Sequence, residues 1–188
     1  MRRQLVLVLV LACAGCASRP LDVKVVPHVE PDAISAPSVA GPLSVRAAAV
    51  WDEDWLLENF DANTILAGVL PVRVEIENRG REPLATKKLE IAASDAAGRR
   101  FEWLDASKAR KAIEKYYELS RIQSKSGTSL YKQDWAANAL DLAAPLSPGE
   151  RRQGFVYLRI PEGVARHVGL RFAVASKRDA ARAELALD

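Results

Sequence analysis

Four side chains in this sequence carry the groups that nucleophilic or metal chemistry most often uses: the thiols of Cys13 and Cys16 and the imidazoles of His28 and His167. A catalytic triad or a thiolate–imidazole pair needs a nucleophile and a base close together, and a zinc site needs several nitrogen or sulfur ligands. No thiol follows Cys16, and His28 falls in a proline-rich stretch. We therefore expect no catalytic residues, no metal site and no cofactor, and we expect that the protein is not an enzyme.

Carboxylates are the next group with chemical potential, and three of them lie between two indoles in WDEDW, residues 51–55. One interpretation is a site for calcium or a cationic ligand, but the cluster lacks the spaced ligands of a calcium loop. Aspartate is a favourable N-cap, and acids early in a helix suit its dipole. We interpret the cluster as the start of a short helix over residues 52–60. No feature selects a pair of acids for glycoside hydrolysis.

Basic and tyrosine side chains are concentrated in a predicted helical insertion over residues 105–142, with Asp105 as a candidate N-cap. Between Lys108 and Lys132 there are seven basic and two acidic side chains. One interpretation is an interaction patch for anionic lipid head groups, envelope polysaccharide or a protein partner. The other is a solvated helix whose opposite face covers the core. The candidate patch residues are Lys108, Arg110, Lys111, Lys115, Tyr116, Tyr117, Arg121 and Lys125.

The chain opens with a short basic head followed by LVLVLVLACAGCAS, residues 5–18. A membrane-spanning helix needs about 20 apolar residues, and this run is shorter and ends at Arg19 and Pro20. A basic head, a short apolar core and small residues are typical of a secretory signal. We therefore predict an export signal over residues 1–15.

Ala14-Gly15-Cys16 resembles the lipobox that ends bacterial lipoprotein signals. The resemblance implies that the Cys16 thiol receives a diacylglyceryl group and that cleavage before Cys16 makes it the first mature residue. Leu is usual three residues before that cysteine, whereas this chain has Cys13, which is the rival lipidation site. An ordinary cleaved signal is the other alternative. Because Ala17, and not Asp, follows Cys16, the family pattern implies anchoring in the outer membrane. We place the protein at the periplasmic face of that membrane.

The stretch from Cys16 to Pro42 contains five of the ten prolines and no sustained apolar period. Proline removes backbone donors and disfavours helix, so we predict a semi-extended tether over residues 16–42.

Without Arg2 and Arg3, the chain has 25 basic side chains and 24 acidic ones. A nearly neutral mature chain gives no electrostatic reason to expect a nucleic acid partner.

Residues 43–188 have the alternation of short strands. Val72–Glu77 alternates strictly after Pro71, and Gly80 follows in a turn, where glycine is free to take positive φ. The stretch 154–160 is apolar on both faces and therefore central. Seven or so strands favour an antiparallel β-sandwich. The stretches 71–78 and 147–161 resemble bacterial secreted domains with an immunoglobulin-like, or telokin-like, fold. Fold alone does not imply function.

These observations together predict a membrane-anchored envelope lipoprotein with a mainly β, immunoglobulin-like sandwich carrying a helical insertion. We expect a non-catalytic binding or scaffolding module, held on the membrane by its lipid, whose partner is an envelope protein or an anionic polysaccharide or lipid. The alternative is an accessory subunit of an envelope transport or assembly machine. A hydrolase is disfavoured because the nucleophile and the base are missing.

Overall fold

The computed structural model describes residues 35–117, 135–164, 169–176 and 181–187. It contains eight strands, which are β1 (Ser38–Ala40), β2 (Leu43–Ala49), β3 (Val69–Asn78), β4 (Leu89–Asp95), β5 (Arg100–Leu104), β6 (Arg151–Arg159), β7 (Leu170–Ser176) and β8 (Ala181–Leu187). The helices are α1 (Glu53–Phe60), α2 (Ala106–Tyr116) and a short 3-10 helix (Thr86–Lys88). Residues 135–138 form one further helical turn.

The strands form one antiparallel sheet in the order β1-β2-β3-β6-β5-β4-β7-β8, which confirms the mainly β prediction. The sheet curls until its two edge strands, β1 and β8, meet. At this point the Ser38 hydroxyl of β1 accepts a hydrogen bond from the Glu184 amide of β8 at 3.2 Å. The result is nearly a barrel. Its interior is filled by aliphatic side chains from alternate strand positions, such as Val45, Val74 and Val156.

Strands β3 and β6 lie side by side in the interior of the sheet and pair over nine positions. Both are buried on two faces along much of their length, so the apolar run at 154–160 was correctly predicted to be central. Pro71 lies inside β3, not at its start. Its carbonyl accepts from the Val50 amide at 2.9 Å. The Pro71 nitrogen lies on the same side of β3 as this carbonyl and therefore also faces Val50, just beyond the end of β2. The missing N–H donor does little harm there.

The turn after β3 is organised by Asn78, which is fully buried. Its side-chain amide donates to the carbonyls of Glu82 (2.7 Å) and Leu146 (2.9 Å), and its Oδ1 accepts from the Gly80 amide. Gly80 does not use the positive φ that is open to glycine. Glycine is required there because a Cβ would lie 2.7 Å from the Cβ of Pro42. A cleft of about 210 Å³ lies beside this turn.

The predicted helical insertion lies between β5 and β6 and includes α2 and the turn at 135–138. Residues 118–134 are outside the described residues, as are Cys16, His28, His167 and most of the predicted tether. Ser38–Ala40 forms β1 within the stretch predicted to be tether. The sheet therefore begins before Leu43, and the Ser35 amide already donates to the Ala47 carbonyl.

Candidate functional site

The helix that carries the predicted patch, α2, is fixed at its start and along one face. The Asp105 side chain accepts a hydrogen bond from the Lys108 amide at 2.8 Å, so the predicted N-cap is confirmed. Ala109 and Ile113 are fully buried, and α2 lies against β3, β5 and β6. A capped helix with its apolar face in the core holds its opposite face in a defined orientation.

Arg110 belongs to the buried face of α2 rather than to its exposed surface. Its guanidinium donates to the carboxylate of Glu114 one turn later, and both side chains are less than a tenth exposed. The charge of Arg110 is therefore compensated inside the protein. Of the predicted patch residues that the structure describes, Arg110 is the one directed away from solvent.

Three lysines of α2, Lys108, Lys111 and Lys115, are exposed. At 3.6 residues per turn they fall within a sector of about 60° around the helix axis. We call this row the lysine stripe. Asp105 Oδ2 lies 3.8 Å from the Lys108 Nζ, and both side chains are more than half exposed. An ion pair of this kind contributes little in water, so the stripe presents concentrated positive charge.

The two tyrosines at the end of α2 have different environments. Tyr116 is half exposed, and its ring meets that of Tyr117 edge to face at a centroid distance of 4.9 Å. The Tyr117 hydroxyl accepts from the Asn63 amide at 3.1 Å and donates to the Asn63 carbonyl. Burial raises the pKa of Tyr117. Arg121 and Lys125, the remaining predicted patch residues, lie outside the described residues.

Asn63 joins α1 to α2, and the sequence analysis did not identify it. Its side-chain amide donates to the Glu53 carboxylate at the start of α1, while its Oδ1 accepts from the amides of Ile65 and Leu66. Asn63 is almost fully buried. We call the set Glu53, Asn63 and Tyr117 the Asn63 hub. Tyr117 lies 54 residues after Asn63, so no local sequence pattern could have revealed the hub.

The acidic cluster at 51–55 forms the start of α1, as predicted. The Asp52 side chain accepts from the Trp55 amide at 3.0 Å, which confirms the capping interpretation. Trp55 packs over the sheet, with the Arg73 guanidinium 4.3 Å from its ring centroid. Within the four described ranges, no three His, Cys, Asp or Glu side chains are grouped so that they could hold a metal ion.

An aromatic layer supports α1 from below. Phe60 stacks on Trp135 at a centroid distance of 5.0 Å and meets Phe155 edge to face at 5.5 Å. Tyr157 lies 5.4 Å from Trp135. Aromatic contacts of this kind add to the stability from burial alone. Both α1 and α2 are thus held rigidly on the outer surface of the sheet, and together they form the candidate site.

In the part of the chain that the structure describes, no helix is long and apolar enough to cross a membrane. No protein-family model matches the sequence, and a comparison with curated proteins finds no match. Among solved structures, the chain is similar to the 2.2 Å crystal structure of a conserved hypothetical protein from Bacillus anthracis. The two are 13% identical, with a TM-score of 0.41 over 81% of this chain and 93% of that chain. At this level of similarity neither fold nor function can be transferred.

Proposed function

We propose that this protein is an envelope lipoprotein, anchored through Cys16 to the periplasmic face of the outer membrane, whose β domain is a non-catalytic binding or scaffolding module. The lysine stripe on α2 is its contact surface. The partner is an envelope protein or an anionic polysaccharide or lipid. The observation that carries the proposal is the row of exposed lysines on a helix whose opposite face is buried.

The placement of Arg110 supports the lysine stripe as a binding surface. The basic residue that faces the core is matched by Glu114, whereas the three lysines of the stripe project into solvent. A mature chain that is nearly neutral overall has therefore concentrated positive charge on one helix face. Local charge of this kind attracts and orients anionic partners, and it does so best at low ionic strength.

The anchor rests on the resemblance of Ala14-Gly15-Cys16 to a lipobox. Each buried methylene contributes about 0.8 kcal/mol, and two or more acyl chains give stable attachment. The tether then allows the β domain to search the space near the membrane. The alternative role, an accessory subunit of an envelope transport or assembly machine, is favoured by the exposed Leu66 and Tyr116 beside the Asn63 hub, since apolar exposure suits a protein partner.

The immunoglobulin-like classification of the domain is part of the proposal. Support comes from the antiparallel strands and from the close packing of residues 71–78 with the 147–161 stretch. The Gly149 backbone N–H donates to the Asn78 carbonyl at 2.7 Å, and the Asn78 backbone N–H donates to the Glu150 carbonyl at 3.1 Å.

The anchor is tested by replacing Cys16 with Ser. We expect the variant to lack acyl mass and to leave the membrane fraction, because the serine hydroxyl cannot form the thioether bond that holds the lipid. Intact mass spectrometry and membrane fractionation are the measurements, with Cys13→Ser as the matched control that keeps its lipid. An acylated Cys16→Ser protein, or loss of the lipid only in Cys13→Ser, would show that Cys13 is the attachment site.

The lysine stripe is tested by the double reversal Lys111→Glu/Lys115→Glu in crosslinked envelopes. We expect the partner recovered with the native chain to be lost, since reversed charge repels an anionic surface. Lys87→Glu/Lys88→Glu makes the same change in charge on exposed residues of the 3-10 helix and is the control. Equal recovery of partners by the stripe variant and the control would contradict the assignment.

A further inference from the structure

Arg73 is a partly buried cation on the outer face of β3. Its neighbours Val72 and Val74 are buried in the interior, so Arg73 projects to the other side of the sheet. There its guanidinium carbon lies 4.3 Å from the ring centroid of Trp55 on α1 and 5.7 Å from that of Phe155 on β6. The two rings favour one orientation of the planar group, because a guanidinium stacks on aromatic faces.

No carboxylate pairs with Arg73 in the described parts of the chain. Each of the other described arginines that is partly or fully buried has such a partner. These pairs are Arg46 with Glu75, Arg110 with Glu114 and Arg152 with Glu150. Burial lowers the pKa of Arg73, because removal from water disfavours the charged form. The charge of Arg73 is therefore neither fully hydrated nor neutralised by a described side chain.

The end of the Arg73 guanidinium is the part that meets solvent. The Nε atom is buried and has no hydrogen-bond partner among the described residues, whereas the side chain as a whole is partly exposed. Solvent therefore reaches the guanidinium at its two Nη atoms. The residue opposite Arg73 on β2 is Ala48, whose methyl group is too short to cover them. The two Nη atoms thus present an open edge of N–H donors.

Glu75, two residues further along the same face of β3, limits the charge that this edge accepts. Its carboxylate accepts a hydrogen bond from the Gln153 side-chain amide at 2.5 Å and lies 4.0 Å from Arg46 Nε. Arg46, Glu75 and Arg73 together carry one net positive charge. A group with a single negative charge neutralises that excess, whereas a phosphate dianion also meets repulsion from Glu75.

We propose that the two Nη atoms of Arg73 bind the carboxylate of a small organic ligand on the outer face of the sheet. A carboxylate offers two oxygens at the spacing of the guanidinium fork, and such paired bonds are among the stronger hydrogen bonds in proteins. The rings of Trp55 and Phe155 exclude water beside the guanidinium, which strengthens the attraction. The site uses no residue of the lysine stripe, so the inference goes beyond the proposed contact surface.

The test is a titration of the full chain, purified in a non-ionic detergent, with sodium acetate or with sodium chloride at the same ionic strength. The readout is the indole N–H resonance of Trp55 in nuclear magnetic resonance spectra, because this ring lies against Arg73. We expect acetate to shift the Trp55 resonance saturably and chloride to leave it in place. The exposed Trp103 of β5 is the internal control, and its resonance should not respond.

Substitutions then separate a carboxylate site from a general effect of salt. Arg73→Lys keeps the charge but loses the fork, so we expect acetate to bind about tenfold more weakly. Arg100→Lys makes the same change on an exposed arginine and is the matched control, which should bind acetate as the native chain does. Inorganic phosphate should bind the native chain more weakly than acetate. Glu75→Gln removes the repulsion and should reduce that preference.

Four results would overturn the inference. The first is the absence of a saturable Trp55 shift with acetate in folded chain, with folding established by the dispersion of the other indole resonances. The second is an Arg73→Lys variant that binds acetate as tightly as Arg100→Lys. The third is tighter binding of phosphate than of acetate to the native chain. The fourth is a preference for acetate that Glu75→Gln leaves unchanged.

Discussion

Tyr157 is a fully buried side chain in the aromatic layer beneath α1, and its hydroxyl has no hydrogen-bond partner among the described residues. A buried hydroxyl without a partner lowers stability by its lost hydration. We expect Tyr157→Phe to raise the free energy of unfolding at pH 7 by about 1 kcal/mol. Urea denaturation measures this change, with the exposed Tyr116→Phe as a control that should leave stability unchanged.

The same substitution should alter the alkaline limit of stability. Burial raises the pKa of Tyr157 far above its usual range. As pH rises past about 10, the unfolded chain releases the phenolic proton while the folded chain retains it, so the free energy of unfolding falls. Stability from this group is thus present below that pH and lost above it. We expect Tyr157→Phe to reduce this fall in the free energy of unfolding as pH rises past about 10. A variant that is less stable than the native chain both at pH 7 and above a pH of about 10 would contradict the account.

Residue-scale features were predictable where their partners are close in sequence. Asp52 and Asp105 were identified as caps because a cap binds an amide three residues away. Asn63 and Arg73 were not, because each is defined by partners on other elements. Arg110 is intermediate: its spacing from Glu114 was visible, but which side of α2 faces the core depends on the sheet.

At the scale of elements, the buried face of α2 includes the ion pair between Arg110 and Glu114. We expect Arg110→Ala to lower the free energy of unfolding by about 3 kcal/mol, because it removes the guanidinium that pairs with the buried Glu114 carboxylate. Arg110→Met/Glu114→Met should recover most of that loss, since apolar side chains of similar volume tolerate burial. Urea denaturation of the two variants checks both values. A double variant no more stable than Arg110→Ala would show that the pair itself holds α2 in place.

The strands were predicted from local alternation, and β3 and β6 lie where the alternation at 72–77 and the apolar run at 154–160 indicated. β1 was missed, because three residues in a proline-rich stretch carry no period, and only pairing with β2 makes them a strand. The position of Pro71 was also misplaced. Its ring is tolerated inside β3 because β2 ends beside it, which is a property of the sheet and not of β3 alone.

At the scale of the molecule, strand order and closure lay beyond the sequence. Alternation shows that a strand has a buried face but not which strand lies beside it, so the sequence favoured a sandwich of two layers. The structure joins β6 to β5 and β5 to β4, so that all eight strands belong to one sheet. The sheet curls far enough for β1 to meet β8, and the chain leading to the predicted tether joins the sheet beside this seam, at Ser35.

The seam between β1 and β8 is the place where this molecule should open most easily. β8 has seven residues and β1 has three, and the two strands stand at opposite ends of the sheet order. A hydrogen bond between them runs from the Glu184 amide to the Ser38 hydroxyl, and a Cβ on Gly41 would lie 3.6 Å from that of Ala181. The strands are thus close enough to pair but are joined by a side chain.

We expect Ser38→Ala to speed hydrogen exchange of the Glu184 amide about tenfold while leaving central amides of β7 unchanged, because local opening of an edge does not require global unfolding. Overall stability should fall by less than about 1 kcal/mol, the usual contribution of one hydrogen bond. Exchange measured by nuclear magnetic resonance gives both results, with Ser107→Ala on exposed α2 as the control. Unchanged protection of Glu184 would mean that packing, and not the Ser38 hydroxyl, closes the barrel.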